Sequence, residues 1–397
     1  METVVKNLIQ AQNRLYFLDW LRVLAMFGIF FFHNARLFDE FNDWHVKNAT
    51  TNLGASITVA FLGQWIMPLF FLIAGAGTYY ALKSKRVIQF VQERGLRLLV
   101  PLIFGMLIIV VPQAYYEAAF HGQLAGNNFF QLYVQYLKNI TSLPFYHLWF
   151  LAYLFAFSLV TLPLFVTWKE KGQSIMSKIA AVFDRPWSLL LLLILSIALI
   201  DAFLSPTGFW SGRDQGGWNT VAYLLFFVFG YLIFANLRIM ETIKKLNWIT
   251  LGTAIVAMVC LVAFFVDEIN DPIAHFGTIK YILANFVQSI NTWCWILAIL
   301  GFGKQFLERN NKFLTYANEA VLPFYILHQT IIITIGYYVV QWNTGVGLKY
   351  LVISTTSFVV IMVIYEIIVR RVNVFRFLFG MKPRRKSSTL LKRENEG

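Results

Sequence analysis

The chain has 397 residues, of which 58% are hydrophobic and only 13% are charged. An ordinary soluble protein carries about a quarter charged residues, so this composition excludes a soluble globule. The formal net charge of +13 raises the alternative of nucleic-acid binding, but the basic residues are spread between apolar runs rather than clustered with exposed aromatic residues. We therefore expect no nucleic acid as a partner and lipid as the main surrounding of the chain.

Ten apolar segments follow one another along the chain, each long enough to cross a bilayer or nearly so. Only helices satisfy their own backbone polar groups in hydrocarbon, so the segments predict an all-α, polytopic membrane bundle of about ten helices. The first segment lacks the small-residue cleavage site of a signal peptide and is expected to be retained. The predicted spans are 15–38, 56–82, 97–119, 148–168, 187–204, 219–236, 248–266, 281–302, 313–342 and 348–369.

The Lys and Arg residues alternate with these spans in a strongly asymmetric way. When the N-terminus is placed inside, all but six of the 33 basic residues fall on inner segments, which predicts that both termini are cytoplasmic. We expect one transmembrane domain over residues 1–372 and a basic cytoplasmic tail over residues 373–397 that lies against anionic lipid or is disordered. The six basic residues on the outer side are Arg36, Lys47, Lys138, Arg213, Lys280 and Lys349.

Ionisable residues inside the spans need a partner or a task, because each costs about 2.5–3.5 kcal/mol at bilayer depth on insertion scales. Asp19 and Arg22 are three residues apart near the inner end of the first span, where they either pair structurally or belong to a site. His33 follows Arg22 by eleven residues, about 16 Å of helix, and is expected near the outer boundary. Arg36 lies one turn farther on, and an acidic residue of the next loop could orient the His33 imidazole as a general base.

The sequence YFLDWLRVLAMFGIFFFH, which holds Arg22 and His33, resembles the opening signature of the acyltransferase-3 family of membrane acyltransferases. The second span reads MPLFFLIAGAGTYY, similar to the family's Phe-rich run that ends in a small residue followed by Gly, here Gly75. The loop VQERGLRLLVP supplies the family's Arg-x-x-Arg pair as Arg94 and Arg97. HLWFL at 147–151, LPFYILHQ at 322–329 and an acidic residue near the end of the last span extend the resemblance over nearly the whole chain. Among family members, those that modify periplasmic glucans or other glycans look most similar.

This resemblance implies transfer of an acyl group from cytoplasmic acyl-coenzyme A (acyl-CoA) to a hydroxyl of an extracytoplasmic glycan. His33 is then the catalytic residue, acting either as a general base or as an acylated intermediate. Arg22, Arg94 and Arg97 are then expected to bind the donor, because guanidinium groups pair well with phosphate oxygens. Further residues expected to line the site are Asp19, Arg36, His147, Glu319, His328 and Glu366. For Glu319 and His328 a buried pair along the acyl path and a packing role stay open, and His147 is equally typical of an aromatic belt at the interface.

No metal site is predicted, because no two His residues have ligand spacing and the acidic loop at 267–271 lacks a calcium-binding pattern. We expect no permanently bound cofactor, with acyl-CoA as a co-substrate, and an integral location in a bacterial inner membrane. The alternative function is a transporter or flippase for a lipid-linked or small polar substrate. That alternative predicts inverted repeats with helices broken at corresponding positions, and the sequence offers no such pair.

Overall fold

The computed structural model describes residues 15–139, 144–170, 185–207 and 216–384. Every regular element in these ranges is a helix, so the predicted all-α polytopic fold is confirmed. The chain divides into two compact units. Unit 1 is built from the described parts of Met1–Phe90 and Ala156–Val321, and unit 2 from those of Val91–Phe155 and Leu322–Gly397.

The helices are numbered in chain order. The first nine are α1 (Tyr16–Ala35), α2 (Leu53–Gly63), α3 (Ile66–Ser84), α4 (Val87–Arg94), α5 (Val100–Phe104), α6 (Val111–Phe120), α7 (Phe129–Lys138), α8 (Trp149–Val160) and α9 (Leu162–Glu170). The others are α10 (Pro186–Phe203), α11 (Thr220–Ala235), α12 (Leu237–Phe264), α13 (Val266–Asn270), α14 (Pro272–His275), α15 (Ile279–Phe306), α16 (Lys312–Val339), α17 (Val346–Ile364) and α18 (Asn373–Leu378). Short π-helical turns at Gly95–Leu99, Gly105–Ile109 and Tyr365–Val369 continue α4, α5 and α17.

Seven helical segments of the described chain are long and apolar enough to cross a membrane, and two bent helix pairs raise the number to nine. The bent pairs correspond to the predicted third and fourth spans, which break before Val111 and before Leu162 by 41° and 44°. The predicted sixth span is α11, an apolar helix of 16 residues. The predicted boundaries agree with the helices to within a few residues, with two exceptions. α4 carries the third span ten residues farther towards the N-terminus, and α12 begins eleven residues before the predicted seventh span. The count of ten and the cytoplasmic placement of the termini stay predictions.

The predicted second span is two helices rather than one. The helix stops after Gly63 and restarts at Ile66, because Trp65 has the non-helical backbone angles φ −133° and ψ −17°. A short helix, α7, lies in the long loop between the predicted third and fourth spans. Asn128 and Gln131 cap its first turn reciprocally, each side chain accepting the other's backbone N–H.

Glycine sets the distance between α3 and α11 within unit 1. A Cβ atom on Gly75 would lie 1.9 Å from the carbonyl oxygen of Phe227, and one on Gly230 would lie 2.0 Å from that of Leu72. The two backbones therefore touch at these glycines, as close-packed membrane helices often do at small residues. This contact gives a physical reason for the small residue and Gly in the second span.

Gly75→Ala is expected to destabilise unit 1, because the added methyl group overlaps backbone atoms that cannot rotate away. Overpacking of this kind typically costs about 1–3 kcal/mol. Gly77→Ala is the matched control, since a Cβ there meets nothing within 4 Å. The measurement is the thermal unfolding midpoint of the purified variants in detergent. Equal midpoints for the two variants would contradict the close contact.

Candidate active site

A hydrogen-bonded network holds the N-terminal end of α1 within unit 1. Arg22 lies 3.5 Å from Asp19, and Nη1 of Arg22 donates to Oδ1 of Asn318 at 3.1 Å. The amide of Asn318 donates in turn to Asp19 at 3.1 Å, so one asparagine from α16 bridges the pair. Asp19 and Arg22 thus form the ion pair that was one of the two alternatives from sequence, and Asn318 is a partner that the sequence did not reveal. Arg22 is still about one third exposed, which leaves part of its guanidinium accessible to a ligand.

A buried carboxylate organises the loop that follows α1. Asp39 is 0% exposed, and Arg36 donates to both of its oxygens at 2.9 and 3.0 Å. Lys47 donates to the same carboxylate at 2.8 Å, and so does the backbone N–H of Phe41. Burial lowers the pKa of the Arg36 guanidinium, and Asp39 opposes that effect. Two cations thus fix the loop on one acid at the C-terminal end of α1.

His33 lies next to this loop in the last turn of α1. Its imidazole stacks on the indole of Trp44, with ring centroids 5.9 Å apart and an interplanar angle of 10°. The guanidinium carbon of Arg36 lies 5.9 Å from the same indole. Of the loop acids that could orient the imidazole, Asp39 pairs with Arg36 and Lys47. Trp44 supplies a flat surface against the imidazole. Trp44 lies in a loop eleven residues after His33, and nothing in the sequence indicates that it stacks on the imidazole.

Arg94 and Arg97 lie where α4 passes into a π-helical turn of unit 2. Arg94 is half-buried at the end of α4, and Arg97 is exposed inside the turn Gly95–Leu99. A π-helix has a wider turn than an α-helix, so positions three apart are spread farther round its axis than in an α-helix. π-turns occur frequently at functional sites. The two guanidinium groups are accessible to solute to different degrees, and their role in donor binding stays a prediction.

The beginning of the predicted tail packs on this arginine turn within unit 2. Gly380 adopts the left-handed φ of +68°, and a Cβ there would lie 2.8 Å from the carbonyl oxygen of Arg97. Pro101, four residues after Arg97, has no N–H to donate to the Arg97 carbonyl. The backbone of Gly380 can therefore approach that oxygen. The ring of Phe379 lies 5.4 Å from that of Phe104. The predicted tail is thus folded from Asn373 to Arg384, and its residues 385–397 lie outside the described ranges.

Two buried histidines meet in unit 2. His147 and His328 have ring centroids 5.1 Å apart, and both are buried. Nε2 of His147 lies 3.0 Å from the carbonyl oxygen of Ile326, and the hydroxyl of Tyr325 donates to the carbonyl of His147. His147 therefore packs inside the protein rather than in an interfacial belt. The HLWFL and LPFYILHQ segments meet here, which their separation in sequence did not predict.

The remaining predicted residues lie in less enclosed positions. Glu319 is exposed, so the reading of Glu319 and His328 as a buried pair is wrong. Nine residues of helix separate them, and only His328 faces the core. Glu366 pairs with Arg370 through both carboxylate oxygens at 3.0 Å, as residues four apart on a helix commonly do. His45, in the loop after α1, is half-buried beside Trp44 with ring centroids 5.0 Å apart.

Comparison with known proteins decides the family. The family model Acyl_transf_3, described as an acyltransferase domain, matches residues 15–366. The chain belongs to the acyltransferase-3 family. It is also 24% identical, over 400 aligned positions, to "Glucans biosynthesis protein C" of Escherichia coli (strain K12 / DH10B), and the match covers 98% of each chain. The protein of the same name from Escherichia coli O157:H7 (strain EC4115 / EHEC) is 24% identical over 402 positions with the same coverage. No solved structure matches the chain.

Membership of this family makes the protein an integral-membrane acyltransferase, as its sequence motifs predicted. The matched region begins at α1 and ends at Glu366, so it includes His33, Arg94 and Arg97. The match ends before Arg370 and α18, so the tail residues that pack on Arg97 lie beyond the matched region. Within the described residues, no three His, Cys, Asp or Glu side chains come together as metal ligands would.

Asp39→Ala is expected to loosen the loop beside His33, because Arg36 and Lys47 lose their shared buried partner. Removing one partner of a buried ion pair costs about 3–5 kcal/mol when the other charge stays buried. Glu40→Ala is the matched control, since Glu40 is the adjacent acid and is exposed. The measurement is limited proteolysis of the loop together with acyltransferase activity. A loop equally resistant in both variants would contradict the organising role of Asp39.

Proposed function

We propose that the protein transfers an acyl group from cytoplasmic acyl-CoA to a hydroxyl of an extracytoplasmic glycan. The single observation that carries the proposal is the placement of His33 in a chain of this family. His33 ends α1, stacks on Trp44 and lies about 16 Å of helix from Arg22. A glucan is the favoured acceptor, because similar full-length chains are named glucans biosynthesis proteins.

In the proposed reaction, neutral His33 accepts the proton of the acceptor hydroxyl as its oxygen attacks the thioester carbonyl carbon. The carbon–sulfur bond then breaks, and the CoA thiolate leaves with the proton that His33 returns. A sugar hydroxyl is a weak nucleophile near neutral pH, so a general base at this point contributes substantially to the rate. In the covalent variant, His33 attacks the thioester first and then passes the acyl group to the hydroxyl.

Donor binding is proposed for the arginine turn of unit 2. Arg97 is exposed there, and the backbone of Gly380 supports the turn from behind. Guanidinium groups suit the phosphates of coenzyme A because they offer paired donors in a fixed plane. Within unit 1, Arg22 is partly exposed beside Asp19 and Asn318 and stays a predicted donor-binding residue. The asymmetry of basic residues favours a cytoplasmic position for these groups and an inner-membrane location in a bacterium.

The transporter alternative gains no support from the helix breaks. The two bent pairs are the consecutive spans Val87–Phe120 and Tyr146–Glu170. A transporter built from inverted repeats would have its broken helices at corresponding positions of the two halves of the chain. Consecutive breaks do not follow that pattern.

His33→Ala is expected to lower acyl transfer by about a hundred-fold to ten-thousand-fold, the usual contribution of a general acid–base group. His121→Ala is the control, because His121 is an exposed loop histidine. Mass spectrometry of glucans from cells that express each variant at equal levels measures the transfer. An acyl adduct trapped on His33 in the parent protein would select the covalent variant. Glucan acylation in the His33→Ala variant within tenfold of the parent level would contradict the assignment.

A further inference from the structure

The break in the second span is stabilised by a side chain from α15 of the same unit. The carbonyl of Gln64 points out of the helix at the break, and the hydroxyl of Thr292 donates to it at 2.9 Å. Breaks in membrane helices are tolerated where neighbouring polar groups satisfy the freed backbone. α2, α3 and α15 thus meet at Gln64, and Thr292 fixes their register.

Four side-chain atoms around this break lack a hydrogen-bond partner among the described residues, although all four are buried. Two belong to the break itself, the amide oxygen of Gln64 and the indole N–H of Trp65. The other two belong to α15, the amide oxygen of Gln288 and the indole N–H of Trp295. Gln288 is only 4% exposed. Unpaired polar atoms are costly in a protein interior, and each calls for an explanation.

The α15 residues share one face of the helix, and this face packs against the break in the second span. Gln288, Thr292 and Trp295 are spaced four and three residues apart, so they share a face of α15. The ring of Phe61 touches both indoles, with centroids 5.7 Å from Trp65 and 5.0 Å from Trp295. The face of α15 that carries Gln288 is therefore the face that meets the break.

The break is also level with His33. A Cβ on Gly63 would lie 3.7 Å from the ring of Phe32, the residue before His33. α1 and α15 run antiparallel, because Tyr16 bonds to Glu308 beyond the end of α15 and Leu21 packs on Gly303. His33 lies twelve residues after Leu21 in α1, and the residue before Thr292 lies twelve residues before Gly303 in α15. In antiparallel helices that meet at Leu21 and Gly303, these two positions are at the same level. The unpaired atoms thus lie at the height of the proposed catalytic histidine.

The chemistry of these atoms suits the end of an acyl thioester donor. The two indole N–H groups can donate to a carbonyl oxygen, and the two amide oxygens can accept from an amide N–H. A pantetheine arm carries amide groups behind its thioester carbonyl, and it is thin enough to enter where solvent does not reach the polar atoms. A glycan chain is bulkier and needs an open groove. N–H donors aimed at a thioester carbonyl would also stabilise the negative charge that develops on its oxygen during attack.

We propose that Gln64, Trp65, Gln288 and Trp295 form the site that receives the thioester end of the acyl donor beside His33. The inference rests on the proposed function, since it presupposes an acyl-CoA donor. Trp65 and Trp295 donate to the thioester carbonyl, and Gln64 and Gln288 accept from the N–H groups of the pantetheine amides. These residues bind the arm of the donor and make no contact with its nucleotide end.

The test measures binding of acetyl-CoA, succinyl-CoA and 3′,5′-ADP to the full-length protein in nanodiscs by calorimetry. Gln288→Leu and Trp295→Phe are each expected to weaken thioester binding by about tenfold or more, the loss expected for a buried hydrogen bond to the ligand. The affinity for 3′,5′-ADP should stay unchanged, because that probe lacks the pantetheine arm. Trp295→Phe keeps an aromatic ring against Phe61 and removes only the N–H donor and part of the ring system.

Asn291→Leu is the matched control. Asn291 is as deeply buried on the same helix and also has an unpaired amide oxygen, but its amide nitrogen faces Met258 at 3.9 Å. It should leave thioester binding unchanged. Gln288→Leu should keep or raise the thermal midpoint, because it removes an unpaired buried group, whereas a structural role for Gln288 would lower it.

Thioester binding that is normal in both Gln288→Leu and Trp295→Phe overturns the inference and leaves the proposed function standing. A raised KM for the glucan with unchanged thioester affinity also overturns it and assigns the site to the acceptor. If the parent protein binds neither thioester, the proposed donor fails, and the inference fails with it.

Discussion

The absence of water in hydrocarbon is the constraint on which this structure depends. A backbone or side-chain polar group that loses water inside the bilayer must find a partner within the protein. Long apolar helices meet that demand by themselves, and they make up most of the described chain. At a few positions the polar groups find partners outside a regular α-helix. These positions are the two ends of α1, the π-helical turns and the break at Gln64 and Trp65.

α1 shows how charge can be kept at membrane depth and still leave a reactive group available. At one end Asp19, Arg22 and Asn318 satisfy one another. Beyond the other end Asp39 collects Arg36 and Lys47. The helix is thus fixed at both ends by ionic networks from its own unit. His33, in the last turn of α1, stacks on Trp44 next to the second of these networks.

Much of the fold could be predicted from sequence, because the hydropathy of a membrane helix is a local property. The spans at 187–204 and 348–369 agree with α10 and with α17 plus its π-turn to within two residues. The helix breaks could not be predicted in this way, since the break at Trp65 depends on Thr292 more than two hundred residues later. The same reason explains why Trp44 and Asn318 were missed. Their roles arise from tertiary contacts, and neither residue type is diagnostic by itself.

The same distinction between local sequence features and tertiary contacts applies to the site residues. Asp19 and Arg22 could be paired from sequence because they are one turn apart, and His33 was singled out by its resemblance to a family motif. Glu319 was misjudged because a helix of mixed polarity does not reveal which of its faces is covered. Arg94 and Arg97 were singled out by a family motif in a predicted loop, and the motif did not reveal that they lie at the junction of α4 with a π-helical turn.

The most direct test of the account is a sided transfer assay in proteoliposomes that hold a glucose oligosaccharide in the lumen. Acyl-CoA with an isotope-labelled acyl group is added outside, and protease accessibility of the C-terminal tail selects liposomes in which the tail also faces outside. The account predicts labelled, acylated oligosaccharide in the lumen, while the oligosaccharide itself stays enclosed. Unmodified oligosaccharide that appears outside, with no label in the lumen, would contradict an acyltransferase that works across the membrane and would support a transporter.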